Sequence, residues 1–139
     1  MLELAFVRRC LLLLLVASFV GLLAELLLAE HTEDPFQLIP VVLLAVAIPL
    51  IALAAWRRGV PLRLFQYLMV TFLVAGLIGG WQHFTAKREI ALERAPQLTG
   101  LALFRKSLEG STPPLLAPGA MIALGLLGLT WTYRQGAPS

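Results

Sequence analysis

Four residues that could carry chemistry lie at the ends of two apolar segments. Glu25, Glu30 and His31 follow one another closely at the end of a long leucine-rich run, and His83 ends a second run. Carboxylates and imidazoles are ligands for zinc and other divalent ions, and an imidazole can also take up and release protons near neutral pH. This set makes ion or metal handling one candidate function.

The spacing of these residues gives a metal site little support. Neither HExxH nor paired Cys-x-x-Cys motifs occur, and those spacings are what make a metal site recognisable. The simpler interpretation is an acidic loop with solvated side chains and a turn at Asp34-Pro35. The chain also has no GxSxG motif, Walker loop or dinucleotide fingerprint. The sequence therefore predicts neither an enzyme nor a bound cofactor.

Glu25 and His83 could act together only if their helices face each other. Ser18, Gly21 and Glu25 step by three and four residues, so they share one small and polar helix face. His83 extends the face of Gly76 in the same way. Both faces are expected to point into a helix bundle, because a charged side chain in lipid is costly. At about 1.5 Å per residue, the two side chains differ in depth by roughly one helical turn.

The composition indicates that a lipid bilayer surrounds these residues. The 139 residues are 59% hydrophobic and 14% charged, with a mean hydropathy of +0.85, whereas soluble domains carry about 25% charged residues. The charges cluster between apolar runs of roughly the length that crosses a membrane. The sequence predicts an all-α, polytopic membrane protein, a single domain over 1–139. Its four transmembrane helices are expected at 10–29, 38–56, 64–83 and 117–133.

The connection 84–116 is the one sizeable segment between the predicted spans. Residues 87–95 are rich in helix formers, which predicts that the third helix continues beyond the bilayer until Pro96 ends it. Apolar residues then recur at helical spacing among charged ones, which predicts a short amphipathic helix on the outer surface. Those apolar residues are Leu98, Leu101, Phe104 and Leu108.

The basic residues predict the orientation of the chain. Six basic residues and one acid give +5 on one side of the predicted membrane, while five basic residues and seven acids give −2 on the other. Cytoplasmic loops carry the excess of lysine and arginine, so both termini are predicted to be cytoplasmic. The aromatic residues Trp56, Trp131 and Tyr133 lie at the same predicted boundary, and Trp81 at the opposite one. Aromatic residues are enriched at such interfaces.

A cleaved signal peptide is the alternative for the first run. The 20 residues of 10–29 exceed the roughly 7–15 residues of a typical signal-peptide core, and Leu27-Leu28-Ala29 is a poor cleavage site. The run is therefore interpreted as an uncleaved membrane anchor.

Small residues at a spacing of four occur in three of the predicted spans. This spacing lets helix backbones approach closely where the hydrophobic effect cannot drive association. Packing within one bundle is the favoured interpretation, and a homo-oligomer or larger membrane complex is the alternative. The pairs are Ala17 with Gly21, Gly76 with Gly80, and Gly119 with Ala123.

Two functional hypotheses follow. The leading one is a non-enzymatic accessory or structural subunit of an assembly in a bacterial plasma membrane, with lipid and other membrane chains as partners. Nucleic acid is not an expected partner, because the basic residues are split among span ends rather than clustered. The competing hypothesis is a small carrier, or an ion- or metal-handling protein, that uses Glu25 and His83.

Overall fold

The computed structural model describes residues 2–29, 35–57, 59–109, 116–133 and 135. Within these residues the chain forms five α-helices and no strand, which confirms the predicted all-α class. The helices are α1 (Leu2–Leu28), α2 (Pro35–Trp56), α3 (Val60–Arg94), α4 (Gly100–Leu108) and α5 (Leu116–Thr132).

Three of these helices are long and apolar enough to cross a membrane. The mean hydropathy of their most apolar parts is 2.7 for α1, 2.8 for α2 and 1.7 for α3. The shorter α5 is also apolar, and its 17 residues reach about 26 Å against a hydrocarbon core of about 30 Å. α1 begins at Leu2 and not at position 10, because the residues before Arg8 are mostly good helix formers.

α1, α2, α3 and α5 form a ring of four helices. α1 packs against α2 and α5, α3 also packs against α2 and α5, and the contact between α3 and α5 is the most extensive. Gly59 adopts φ 96° and ψ −122° between α2 and α3, a backbone conformation that glycine adopts without strain. The Nη2 atom of Arg8 donates a hydrogen bond to the carbonyl oxygen of Tyr133 at 3.2 Å, so α1 begins where α5 ends.

The two ends of the ring differ in charge and in what they carry. One end, called the basic end below, carries Arg8, Arg9, Arg57 and Arg63. The opposite end carries α4 and is called the α4 end.

The core of the ring follows a spacing of three and four residues. On α2, Leu44, Ala47, Ile51 and Ala54 are at most 1% exposed. The same spacing runs along α3 from Leu62 through Phe72. This pattern resembles the seam of a coiled coil, in which side chains of one helix fit between those of the next.

Aromatic rings connect α1, α3 and α5 inside the core. The ring of Phe19 lies 6.4 Å from that of Phe65 and 5.7 Å from that of Phe72, in edge-to-face arrangements. The ring of Phe65 also lies 5.6 Å from that of Trp131. Trp131 is only 3% exposed, so its ring fills the core. This differs from the prediction that the ring lies at the membrane interface. Trp56, at 88% exposed, does lie on the surface of the bundle.

α3 continues well past the length of a membrane span. Its 35 residues reach about 52 Å, so the predicted prolongation beyond 83 is confirmed. α4 packs against this extension, with Leu103 and Ser107 buried and the ring of Phe104 5.7 Å from that of Phe84. The predicted amphipathic helix is therefore present, and α3 covers one of its faces.

Candidate functional site

Glu25 lies on the side of α1 that faces away from the helix bundle. Phe19 and Leu26 of α1 are buried, because their large side chains fill the space between the helices. Ser18, Gly21 and Glu25 lie on the other side of α1 and are all exposed. This differs from the prediction that the polar face of this helix points inward, since the bulky residues take the inner positions.

Glu25 and His83 are not brought together as an ion pair. His83 is half-buried on α3 and lines a cavity that α3 forms with α2 and α5, whereas Glu25 is exposed on α1. Glu109 forms ion pairs with Arg105 at 3.1 Å and with Lys106 at 3.5 Å, and neither pair involves Glu25 or His83. The geometry therefore gives the predicted carboxylate–imidazole pair no support.

The predicted metal ligands do not assemble in the described residues. No group of three or more His, Cys, Asp or Glu side chains in 2–29, 35–57, 59–109, 116–133 and 135 could hold a metal ion. Glu30 and His31 lie outside these ranges, so a metal site that includes them stays a prediction.

The six predicted packing residues divide into two groups. Gly76 and Gly80 of α3 lie against α5. A Cβ atom on Gly76 would be 2.7 Å from Cγ1 of Ile122 and 2.8 Å from the carbonyl oxygen of Pro118, and one on Gly80 would be 3.9 Å from Cβ of Pro118. The other four residues are exposed on the surface of the bundle: Ala17, Gly21, Gly119 and Ala123.

Two glycines that the sequence analysis did not single out form the α5 side of this contact. A Cβ atom on Gly125 would lie 2.7 Å from Cδ2 of Leu73 and 2.8 Å from the carbonyl oxygen of Met69. A Cβ atom on Gly128 would overlap the sulfur of Met69. The sequence did contain a signal, because these glycines share a helix face with the bulky Trp131.

The exposed side of α1 forms a continuous strip of small and polar residues. We call it the α1 small-residue face; it consists of Ala17, Ser18, Gly21, Ala24 and Glu25, all of them exposed. Apart from its own stretch of α1, no atom of the described residues lies within 4 Å of the position that a Cβ on Gly21 would take. Such a face can accept a second helix at close range, and Glu25 can accept hydrogen bonds from it.

A cavity of about 560 Å³ opens between α2, α3 and α5, in the half of the bundle nearer the α4 end. We call it the α2–α3–α5 groove. Most of its walls are apolar, and its polar side chains come from Gln37 of α2 and from Thr71, Gln82 and His83 of α3. His83 was predicted as a candidate site residue, whereas the two glutamines were not, although their position beside apolar runs was a signal in the sequence.

Comparisons with protein-family models, curated proteins and solved structures gave no match to this chain. The fold alone defines the class: within the described residues, an all-helical protein with three helices long and apolar enough to span a membrane and shorter helices beside them. No relative therefore indicates a function for this chain.

Proposed function

We propose that this protein is a non-enzymatic accessory or structural subunit of a membrane assembly in a bacterial plasma membrane. In this proposal α5 is a fourth span, and both termini are cytoplasmic. The observation that carries the proposal is the α1 small-residue face, which lies on the outside of the bundle and includes a carboxylate.

The α1 small-residue face is costly to expose to lipid. A carboxylate on the lipid side of a transmembrane helix is costly, and ionisable residues in spans usually face protein or water. Small side chains along the same face give lipid chains few atoms to contact but allow a second helix to come close. A transmembrane helix from another chain, with a hydrogen-bond donor opposite Glu25, would satisfy both features.

The most direct experiment compares two exposed glycines. Apart from the glycine's own stretch of helix, no atom of the described residues lies within 4 Å of the position that a Cβ would take on either Gly21 or Gly119, so we expect leucine at either position to leave the fold intact. We expect wild-type protein, purified in a mild detergent, to migrate as a complex on native gels. Gly21→Leu is expected to shift it to the monomer, because the branched side chain separates the helices. Gly119→Leu is the matched control and is expected to leave the complex unchanged.

A second pair of variants tests the carboxylate. Glu25→Gln keeps a hydrogen-bonding side chain and is expected to retain most of the complex, whereas Glu25→Leu is expected to weaken it by roughly 5- to 30-fold, the equivalent of about 1–2 kcal/mol. A wild-type protein that remains monomeric, with no partner after cross-linking in the membrane, would contradict the proposal. So would a complex that tolerates Gly21→Leu.

A further inference from the structure

The α2–α3–α5 groove has the size and shape of a site for one small molecule. Its volume of about 560 Å³ falls in the range of roughly 300–1,000 Å³ that is usual for ligand sites. Ile39 and Pro40 of α2 form one wall, Val74 and Ile78 of α3 form the second, and Met121 of α5 belongs to the third. Three separate helices therefore line it.

Small side chains at the junction of α3 and α5 leave this space open. Gly79 and Ala75 face the groove from α3, and Pro118 faces it from α5. A Cβ atom on Gly79 would lie 3.5 Å from Cγ of Pro118, so a side chain there would meet α5 and narrow the groove. The groove is therefore open because α3 has small residues, Ala75 and Gly79, where it faces α5.

The polar groups of the groove are concentrated at one end. Gln82 and His83 lie near the α4 end of α3, and Gln37 lies near the start of α2. Thr71 lies about 18 Å further along α3, and its hydroxyl donates to the carbonyl oxygen of Tyr67 at 3.0 Å. The end near Thr71 therefore offers a ligand mainly apolar contacts, whereas the end near α4 carries most of the polar side chains.

The described lining contains no acidic side chain and neither lysine nor arginine. A phosphate or other ionic head group would lose its hydration there without gaining an opposite charge from the lining, which is unfavourable. An uncharged head group can use the side-chain amide of Gln82 without that loss.

We propose that the α2–α3–α5 groove binds a neutral amphipathic lipid, with its apolar chain along Val74 and Ile78 and an uncharged hydroxyl or carbonyl head group beside Gln82. The bilayer around long apolar helices supplies molecules of this kind at high concentration. Water is a poor occupant of the apolar part of the groove beside Val74 and Ile78, because water in a cavity needs two to four polar partners. The proposal does not depend on assembly through the α1 small-residue face, since the groove is formed by other helices.

Photo-cross-linking of the full-length protein in phosphatidylcholine nanodiscs tests this proposal. The probe is palmityl alcohol that carries a diazirine in its chain, and the comparison probe is the phosphate ester of the same molecule. We expect the alcohol to label peptides from the groove, in particular 36–40 and 74–86, and the phosphate ester to label them much less. Excess unlabelled palmityl alcohol or an isoprenoid alcohol is expected to compete, and the stronger competitor identifies the preferred chain type.

Two neighbouring positions on α3 provide a matched pair of variants. Ile78 lines the groove and is 53% exposed, whereas Leu77 is 65% exposed and lies outside the lining. We expect Ile78→Trp to reduce labelling of the groove by about tenfold, because the indole fills the space, and Leu77→Trp to leave it unchanged. Val74→Trp repeats the test one turn away on a side chain that is 49% exposed.

Three outcomes would overturn the proposal. One is labelling spread evenly along the lipid-facing helices and indifferent to the tryptophan at position 78 or 74. Another is equal labelling of the groove by the alcohol and by its phosphate ester. The third is a failure of both unlabelled alcohols to compete.

Discussion

At the scale of single residues, glycine determines how closely α3 and α5 approach each other. Gly76 and Gly125 each face a backbone carbonyl oxygen of the opposite helix at a distance that leaves no room for a Cβ atom. A backbone atom cannot rotate away as the end of a flexible side chain can, so a methyl group there must push the helices apart. Gly76 and Gly125 are therefore required for the close packing of α3 against α5, whereas no neighbouring helix in the described residues restricts the exposed Gly21 and Gly119.

Substitution of these glycines by alanine should separate the two groups. We expect Gly76→Ala to lower the free energy of unfolding in detergent by about 1–3 kcal/mol, because the added carbon would lie 2.8 Å from the carbonyl oxygen of Pro118. Gly21→Ala is the control and is expected to be neutral or to stabilise α1 by up to about 1 kcal/mol, through helix propensity alone. Unfolding curves that are equal for wild type and Gly76→Ala would contradict this account of the α3–α5 contact.

At the scale of the elements, α4 and the end of α3 form a small unit beyond the length of a span. α4 has only nine residues, too few for an isolated helix to be stable in water. It is held by the burial of Leu103 and Ser107 against α3 and by the ring contact of Phe104 with Phe84. The hydroxyl of Ser107 donates to the carbonyl oxygen of Leu103 at 2.8 Å, so its burial leaves no unpaired donor.

Limited proteolysis can measure this docking. Leu103→Ala is expected to cost about 2–4 kcal/mol of local stability and to expose the bonds after Arg105 and Lys106 to trypsin, with cleavage at least tenfold faster. Leu101→Ala is the matched control, because Leu101 is 81% exposed and contributes little to the contact with α3. Equal cleavage rates in the two variants would mean that α4 is held by something other than Leu103.

At the scale of the whole molecule, the ring of four helices gathers basic residues at one end. Arg8, Arg9, Arg57 and Arg63 lie at the end where α1 begins and where α2 meets α3. The hydrogen bond from Arg8 to the carbonyl oxygen of Tyr133 brings the last helix to the same end. The excess of positive charge on the cytoplasmic side of membrane proteins then predicts which compartment this end faces.

Cysteine labelling provides the test of that orientation. In a Cys10→Ala background, Val60→Cys at the basic end is expected to react with a membrane-impermeant maleimide only after the cells are opened. Gln97→Cys, between α3 and α4, is the opposite control and is expected to react in intact spheroplasts. Both positions are exposed, so access from the correct side is the only barrier to the reaction. Labelling of Val60→Cys in intact spheroplasts would reverse the predicted topology.

The class of fold and the main helices could be predicted from the amino-acid sequence. Apolar runs of membrane length predicted helices, and the structure contains α1, α2, α3 and the shorter α5 at those places. The helix formers at 87–95 also predicted that α3 continues past its span. These features could be predicted because they depend on length, hydropathy and local helix propensity, all of which act along the chain.

The side of each helix that faces the core could not be predicted from the sequence and became apparent only from the packing of the helices. In a soluble helix, polar residues mark the outer side, but in lipid the outer side is as apolar as the core, so hydropathy does not distinguish the two. The small and polar face of α1 was therefore expected inside and lies outside, and the groove between α2, α3 and α5 was not foreseen. For the same reason Gly119 of α5 was predicted to be a packing residue and is exposed, whereas Gly125 and Gly128, which pack against α3, were not predicted. Their positions depend on how Phe19, Phe65 and Trp131 fill the centre of the ring, and that contact joins three helices far apart in the chain.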